Sequence, residues 1–214
     1  MTFQKLRKTH VLIVPGLDGS GPDHWQTCWE RRLARCERVQ MGDWAYPERP
    51  QWIRRLDQEI RRSPTAALIV AHSLGALTVA WWAKERWSLA YRELVIGALL
   101  VAPPDVERGR GGERMEGFAP VPRVPLPFPT LLVASRNDPY ASFEASNRLA
   151  AMWGSTFVDA GELGHINADS GIGEWTDGIR LLASLVAQED PEAPLWGWQT
   201  DPERPHAGPL RDQP

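Results

Sequence analysis

Residues 67–75 read Ala67-Leu68-Ile69-Val70-Ala71-His72-Ser73-Leu74-Gly75, and this stretch sharply narrows the folds open to the chain. An apolar run rich in β-branched residues stops at a serine, and small or helix-forming residues follow at once (Ala76, Leu77). That order predicts a buried strand over 67–71, a sharp turn at Ser73 and a helix over 74–87. A serine on such a turn points its hydroxyl out of the sheet, while the next backbone N–H groups open a helix. The pattern is A-x-S-x-G. Ala71 stands where the nucleophile-elbow motif G-x-S-x-G has glycine, which keeps the side chain small but gives up freedom at φ > 0.

The rest of the chain repeats the strand-then-helix alternation. Strands are expected at 10–15, 39–41, 94–101, 130–134 and 156–158, and helices at 22–38, 50–62, 143–153 and 174–187. Near-continuous apolar strands separated by helices predict an α/β fold, with a mainly parallel central sheet and helices on both faces. The Gly/Arg/Pro-rich stretch 107–129 reads as the least ordered interior segment. Residues 1–9 read as an N-terminal extension, 10–187 as one folded domain, and 188–214 as a flexible, proline-rich tail.

Composition excludes several classes of function. A net charge of −3 over 214 residues gives no electrostatic reason to expect nucleic acid or an anionic membrane as partner. Residues 66–83 are apolar, but His72, Ser73 and Gly75 interrupt them, so no membrane span is expected. The N-terminus lacks the apolar core of a signal peptide, and a cytoplasmic location is the expectation. Cys28 and Cys36 fall in one expected helix, about 12 Å apart by helical rise and too far for a disulfide. No Cys/His cluster has metal-ligand spacing, so no metal is expected.

In an open parallel sheet, functional groups gather where the strands end. Those ends carry Gly16-Leu17-Asp18, Ser73, Asp105 and Asp138, with His165 in a turn-rich loop after the last short strand. Ser73, Asp138 and His165 form a nucleophile, an orienting acid and a base in chain order. A serine needs a base to take its proton, and histidine titrates near neutrality. An aspartate sets the histidine tautomer and stabilises the imidazolium. Asp138 follows a strong strand and is preferred to Asp105, which also ends one. The backbone N–H groups of Leu74 and Leu17 are the candidate oxyanion donors. The glycines at 16, 19 and 21 match neither phosphate-binding glycine motif.

Five segments together carry a resemblance. They are Val11-Leu12-Ile13-Val14-Pro15-Gly16, Gly21-Pro22-Asp23-His24-Trp25-Gln26, Ala71-His72-Ser73-Leu74-Gly75, Ser135-Arg136-Asn137-Asp138-Pro139-Tyr140 and Gly164-His165-Ile166-Asn167. The chain resembles the small serine hydrolases of the α/β-hydrolase superfamily, typified by retinoblastoma-binding protein nine and the YdeN-like proteins. The resemblance implies an α/β-hydrolase fold without a large lid domain, with Ser73 as nucleophile, Asp138 as acid and His165 as base. It also implies that His24 and Trp25 border the site, beside Gly16, as candidates for substrate binding. The Arg/Gly stretch near 107–117 and the tail have no counterpart in it.

Eleven tryptophans invite a binding role, but Trp25, Trp29, Trp52, Trp81 and Trp82 sit at helical core spacings, which favours packing. His72 reads as a buried structural histidine rather than a second base. The expected activity is hydrolysis of small carboxylic esters or related acyl compounds through an acyl-enzyme on Ser73. Its partner is a small-molecule acyl substrate, with no cofactor. A binding protein on the same fold, or an acyltransferase using the same serine, are the alternatives.

Overall fold

The computed structural model describes residues 6, 9–109 and 112–187. The expected tail and nearly all of the expected N-terminal extension lie outside the described residues. Six strands form one sheet: β1 (His10–Val14), β2 (Cys36–Arg38), β3 (Ala67–His72), β4 (Val95–Val101), β5 (Thr130–Ala134) and β6 (Thr156–Asp159). Their order is β2-β1-β3-β4-β5-β6, and every neighbouring pair is parallel. The chain leaves β1 in one direction and returns to its other side, so β1 and β3 flank the point where strand order reverses. Their carboxyl ends form the crevice in which α/β proteins place ligands.

The two-residue period of the strands explains how both faces are covered. Leu12, Val14, Ile69, Ala71, Leu100, Leu132 and Ala134 pack on one face against α2 (Arg49–Arg62), α3 (Leu74–Arg86) and α4 (Phe143–Trp153). Val11, Ile13, Leu68, Val70, Leu99, Leu131 and Val133 pack on the other against α1 (Trp25–Arg32) and α5 (Thr176–Ala187). Helix α2 buries Trp52, Ile53, Leu56 and Ile60 on one stripe, each contributing about 1.5–3 kcal/mol on leaving water. Helix α3 is buried all round from Leu74 to Ala83, wedged between the sheet and its neighbours. Its apolar run is thus explained by packing, and no described helix is long and apolar enough to cross a membrane.

Two expectations are corrected. The helix expected over 22–38 stops at Arg32, and Leu33 is already extended. The edge strand is 36–38, not 39–41, because Cys36, Glu37 and Arg38 pair with Val11, Leu12 and Ile13. Sheet pairing outweighs the weak helical preference of 33–38, while Val39 and Met41 still reach the core. Cys28 and Cys36 therefore do not share a helix, and both are free thiols. The stretch expected to be least ordered instead folds down on the core. A 3-10 segment, Glu113–Phe118, buries Met115 and Phe118, and the Trp81 indole donates to the Phe118 carbonyl at 2.9 Å.

Candidate active site

Ser73 occupies the turn between β3 and α3 at φ 54° and ψ −125°, a backbone region costing about 1–3 kcal/mol for a non-glycine residue. Its N–H donates to the Val101 carbonyl at 2.8 Å, so the sheet ladder holds it to the last residue before the helix. Although Ser73 is the N-cap residue of α3, its hydroxyl makes no cap hydrogen bond and remains available to another partner. Two glycines permit this turn. A Cβ on Gly75 would stand 2.3 Å from the Val14 carbonyl oxygen, and one on Gly16 would stand 2.7 Å from Ser73 Cβ. Both positions are closed to any side chain unless the backbone moves.

The partner of the Ser73 hydroxyl is His165, whose Nε2 lies 2.9 Å from Ser73 Oγ. The opposite ring nitrogen, Nδ1, lies 3.0 Å from each carboxylate oxygen of Asp138. A carboxylate can only accept here, so Nδ1 carries the proton and Nε2 is free to accept from serine. Asp138 Oδ1 also accepts from the Tyr140 N–H at 2.9 Å, and the Tyr140 ring packs edge-on to His165 with centroids 4.5 Å apart. Asp105 lies elsewhere. Its N–H donates to the Tyr140 carbonyl at 2.9 Å, and its carboxylate faces Arg108 at 3.8 Å.

The loop carrying His165 is tied down by side chains from three other elements. Ser135 Oγ accepts from the Leu163 N–H at 2.9 Å, and Asn137 Oδ1 accepts from the Gly164 N–H at 2.7 Å. His72 Nε2–H donates to the His165 carbonyl at 2.9 Å, and Trp25 Nε1–H donates to the Ile166 carbonyl at 2.8 Å. Ile166 sits at φ 49°, an outlier for a β-branched residue that these bonds hold in place. Sequence reasoning missed Ser135, Asn137 and Tyr140. The available signals were their place beside Asp138 at a strand end and their membership of the segment 135–140 that carries the family resemblance.

Trp25 and His24 differ from expectation. Trp25 is 0% exposed and His24 is 5% exposed, so neither offers a surface to a ligand. Trp25 instead hydrogen-bonds the His165 loop at the Ile166 carbonyl. His24 Nδ1 accepts from the Gln26 N–H at 3.1 Å and caps α1, and its ring meets that of His72 with centroids 4.8 Å apart. Burial, then Arg38 and His165, lower its pKa to about 4. Burial likewise holds His72 well below the usual histidine range, helped by His165 and His24. Both rings are therefore neutral at ordinary pH, and an imidazolium at His165 would face no charged histidine beside it.

The candidate oxyanion donors lie on either side of the Gly16–Ser73 contact. Neither the Leu17 nor the Leu74 N–H donates to a loop carbonyl among the described residues. The nearby Asp18, Gly19 and Ala76 N–H groups do, to Trp44, Gly16 and Ser73. Leu74 opens α3, where N–H groups lack helical partners. No group of three or more potential metal ligands is found among the described residues.

Similarity to known proteins bears on the family and the fold. A family model described as serine hydrolase matches residues 11–184. A YdeN-like hydrolase from Pectobacterium atrosepticum is 32% identical, with a TM-score of 0.74, covering 86% of this chain and 94% of that one. The ydeN gene product of B. subtilis is similar in fold at 20% identity and a TM-score of 0.67, covering 83% of this chain and 98% of that one. Est1E of Butyrivibrio proteoclasticus, solved with ferulic acid, shares the fold at 13% identity and a TM-score of 0.62, covering 84% of this chain and 90% of that one. No match is found among curated proteins. With a family model spanning most of its length, this chain belongs to the serine hydrolase family and has the α/β-hydrolase fold.

Proposed function

We propose that the protein hydrolyses small carboxylic esters or related acyl compounds through an acyl-enzyme on Ser73. The observation that carries this reading is His165, which contacts Ser73 Oγ at 2.9 Å through one nitrogen and Asp138 at 3.0 Å through the other. Ser73 Oγ attacks the substrate carbonyl as His165 Nε2 takes its proton, and Asp138 stabilises the resulting imidazolium. The Leu17 and Leu74 N–H groups hold the oxyanion. Collapse of the tetrahedral intermediate breaks the bond to the leaving group, which takes the proton from His165. Water then repeats the sequence on the acyl-enzyme, releasing acid and restoring Ser73. The strained serine backbone supports the reading, since such outliers concentrate at reacting groups.

Intact-mass labelling with a fluorophosphonate probe tests it. One adduct on the wild type is expected, absent in Ser73→Ala and strongly slowed in His165→Ala and Asp138→Asn. Hydrolysis of p-nitrophenyl acetate should follow the same ranking. A folded wild type that takes up no probe would refute the proposal.

A further inference from the structure

The segment 113–118 has no part in the sheet or the triad, yet Arg114 reaches from it to the β1 loop. Its Nη1 donates to Asp18 Oδ1 at 2.8 Å and its Nη2 to Asp18 Oδ2 at 3.0 Å, while Nη1 also reaches the Ala45 carbonyl at 3.2 Å. Asp18 follows Leu17, one of the two proposed oxyanion donors. Asp18 stands at φ 60°, a left-handed conformation that glycine adopts freely and aspartate or asparagine only less readily. The Gly19 N–H donates to the Gly16 carbonyl at 3.1 Å, closing a four-residue turn with Asp18 at its third position. Because a trans peptide is planar, the Gly16 carbonyl and the Leu17 N–H share one plate and point in opposite directions. The bond that closes the turn therefore also aims the Leu17 N–H. If Asp18 relaxes out of φ 60°, that bond opens and the donor swings away.

We infer that Arg114 is a positioning residue: its two-pronged grip on Asp18 keeps the 16–19 turn closed and the Leu17 N–H directed at the reacting oxygen. The inference rests on the serine-hydrolase reading above. The grip has a firm base, since Met115 and Phe118 are buried beside Arg114 and the Trp81 indole holds the Phe118 carbonyl. A second bond helps, from the Asp18 N–H to the Trp44 carbonyl at 2.9 Å. The ion pair is half-exposed, at 44% for Arg114 and 58% for Asp18, so its contribution to overall stability is small. Its effect on rate is larger, because losing an oxyanion donor outright costs about 10²–10³ in kcat.

The test compares wild type, Arg114→Ala, Arg114→Lys, Asp18→Ala and Asp18→Gly by fluorophosphonate labelling rate, p-nitrophenyl acetate kinetics and melting temperature. Arg114→Ala is expected to label about tenfold more slowly, with the loss in kcat and not in KM. Lysine restores the charge without the fork and recovers only part of the rate. Asp18→Ala is expected to be slower than Asp18→Gly, because glycine holds φ 60° without help. Arg114→Ala should cost nothing further in the Asp18→Gly background. Equal rates for Arg114→Ala and wild type, or for Asp18→Ala and Asp18→Gly, would overturn the inference. A wild type that does not label would instead overturn the underlying reaction.

Discussion

Two loops meet at Ser73, and they are held in opposite ways. The His165 loop is fixed mostly from within: His72 and Trp25, both buried, donate to its carbonyls and the buried Ser135 accepts from the Leu163 N–H, while the exposed Asn137 accepts from the Gly164 N–H. Besides its own closing bond, the Gly16–Gly19 turn is fixed largely from outside, by the partly exposed Arg114–Asp18 pair and a main-chain bond to Trp44. A base must keep its ring aligned with two partners at once, which favours several bonds, most of them from buried side chains. A backbone donor needs only one peptide held, which a surface clamp can achieve. The first arrangement resists salt and depends on burial, whereas the second is screened by ions.

The largest effect is expected from Asn137→Ala. It releases the Gly164 N–H beside His165, and a base displaced by about 1 Å costs on the order of 10²-fold in kcat. Labelling rate against a preserved melting curve would show whether the loss is positional. Trp25→Phe comes next. It leaves the Ile166 carbonyl buried without its donor, a cost of about 1–3 kcal/mol that should appear in thermal unfolding together with a lower kcat. Raising salt should act on the other loop. The wild-type labelling rate is expected to fall about two- to threefold between low and high ionic strength, and Asp18→Gly should be insensitive. If both respond equally, the surface clamp is not what distinguishes the two loops.

A smaller effect on the buried side is a pH dependence of stability. His24 is held at a pKa of about 4, first by burial and then by Arg38 and His165, while the unfolded residue titrates near the ordinary histidine value of 6.5. Between those values the unfolded chain binds more protons, so stability is full above 6.5 and falls as pH drops toward about 4. His24→Asn keeps an acceptor for the Gln26 N–H and removes this titration. Its melting temperature should fall less steeply on acidification, leaving the share due to His72. An unchanged slope would show that His24 carries no part of it.

Much of this architecture was legible in the sequence. The run 67–75 announced a strand, a turn and a helix, and β5 and α4 lie where their patterns placed them. Short-range features explain this success: β-branched runs, helical periodicity, and small residues where chains approach closely. The second strand was misplaced, because 33–38 carry a weak helical preference and 36–38 are made a strand by pairing with β1. The site showed the same divide. Ser73, Asp138 and His165 were named as a candidate triad from chain order and residue chemistry, and their side chains lie in contact. Ser135 and Asn137, which hold the histidine loop, look like ordinary turn residues.

Local chemistry therefore determined which residues are candidates to react: a serine on a sharp turn, a histidine in a loop, an aspartate after a strand. Tertiary structure decided what surrounds them. It moved His24 and Trp25 from the expected border of the site to buried positions, and it brought Arg114 across to Asp18 from 96 positions away. Burial and long-range hydrogen bonding depend on how helices and loops settle over the sheet, and no spacing along the chain encodes that.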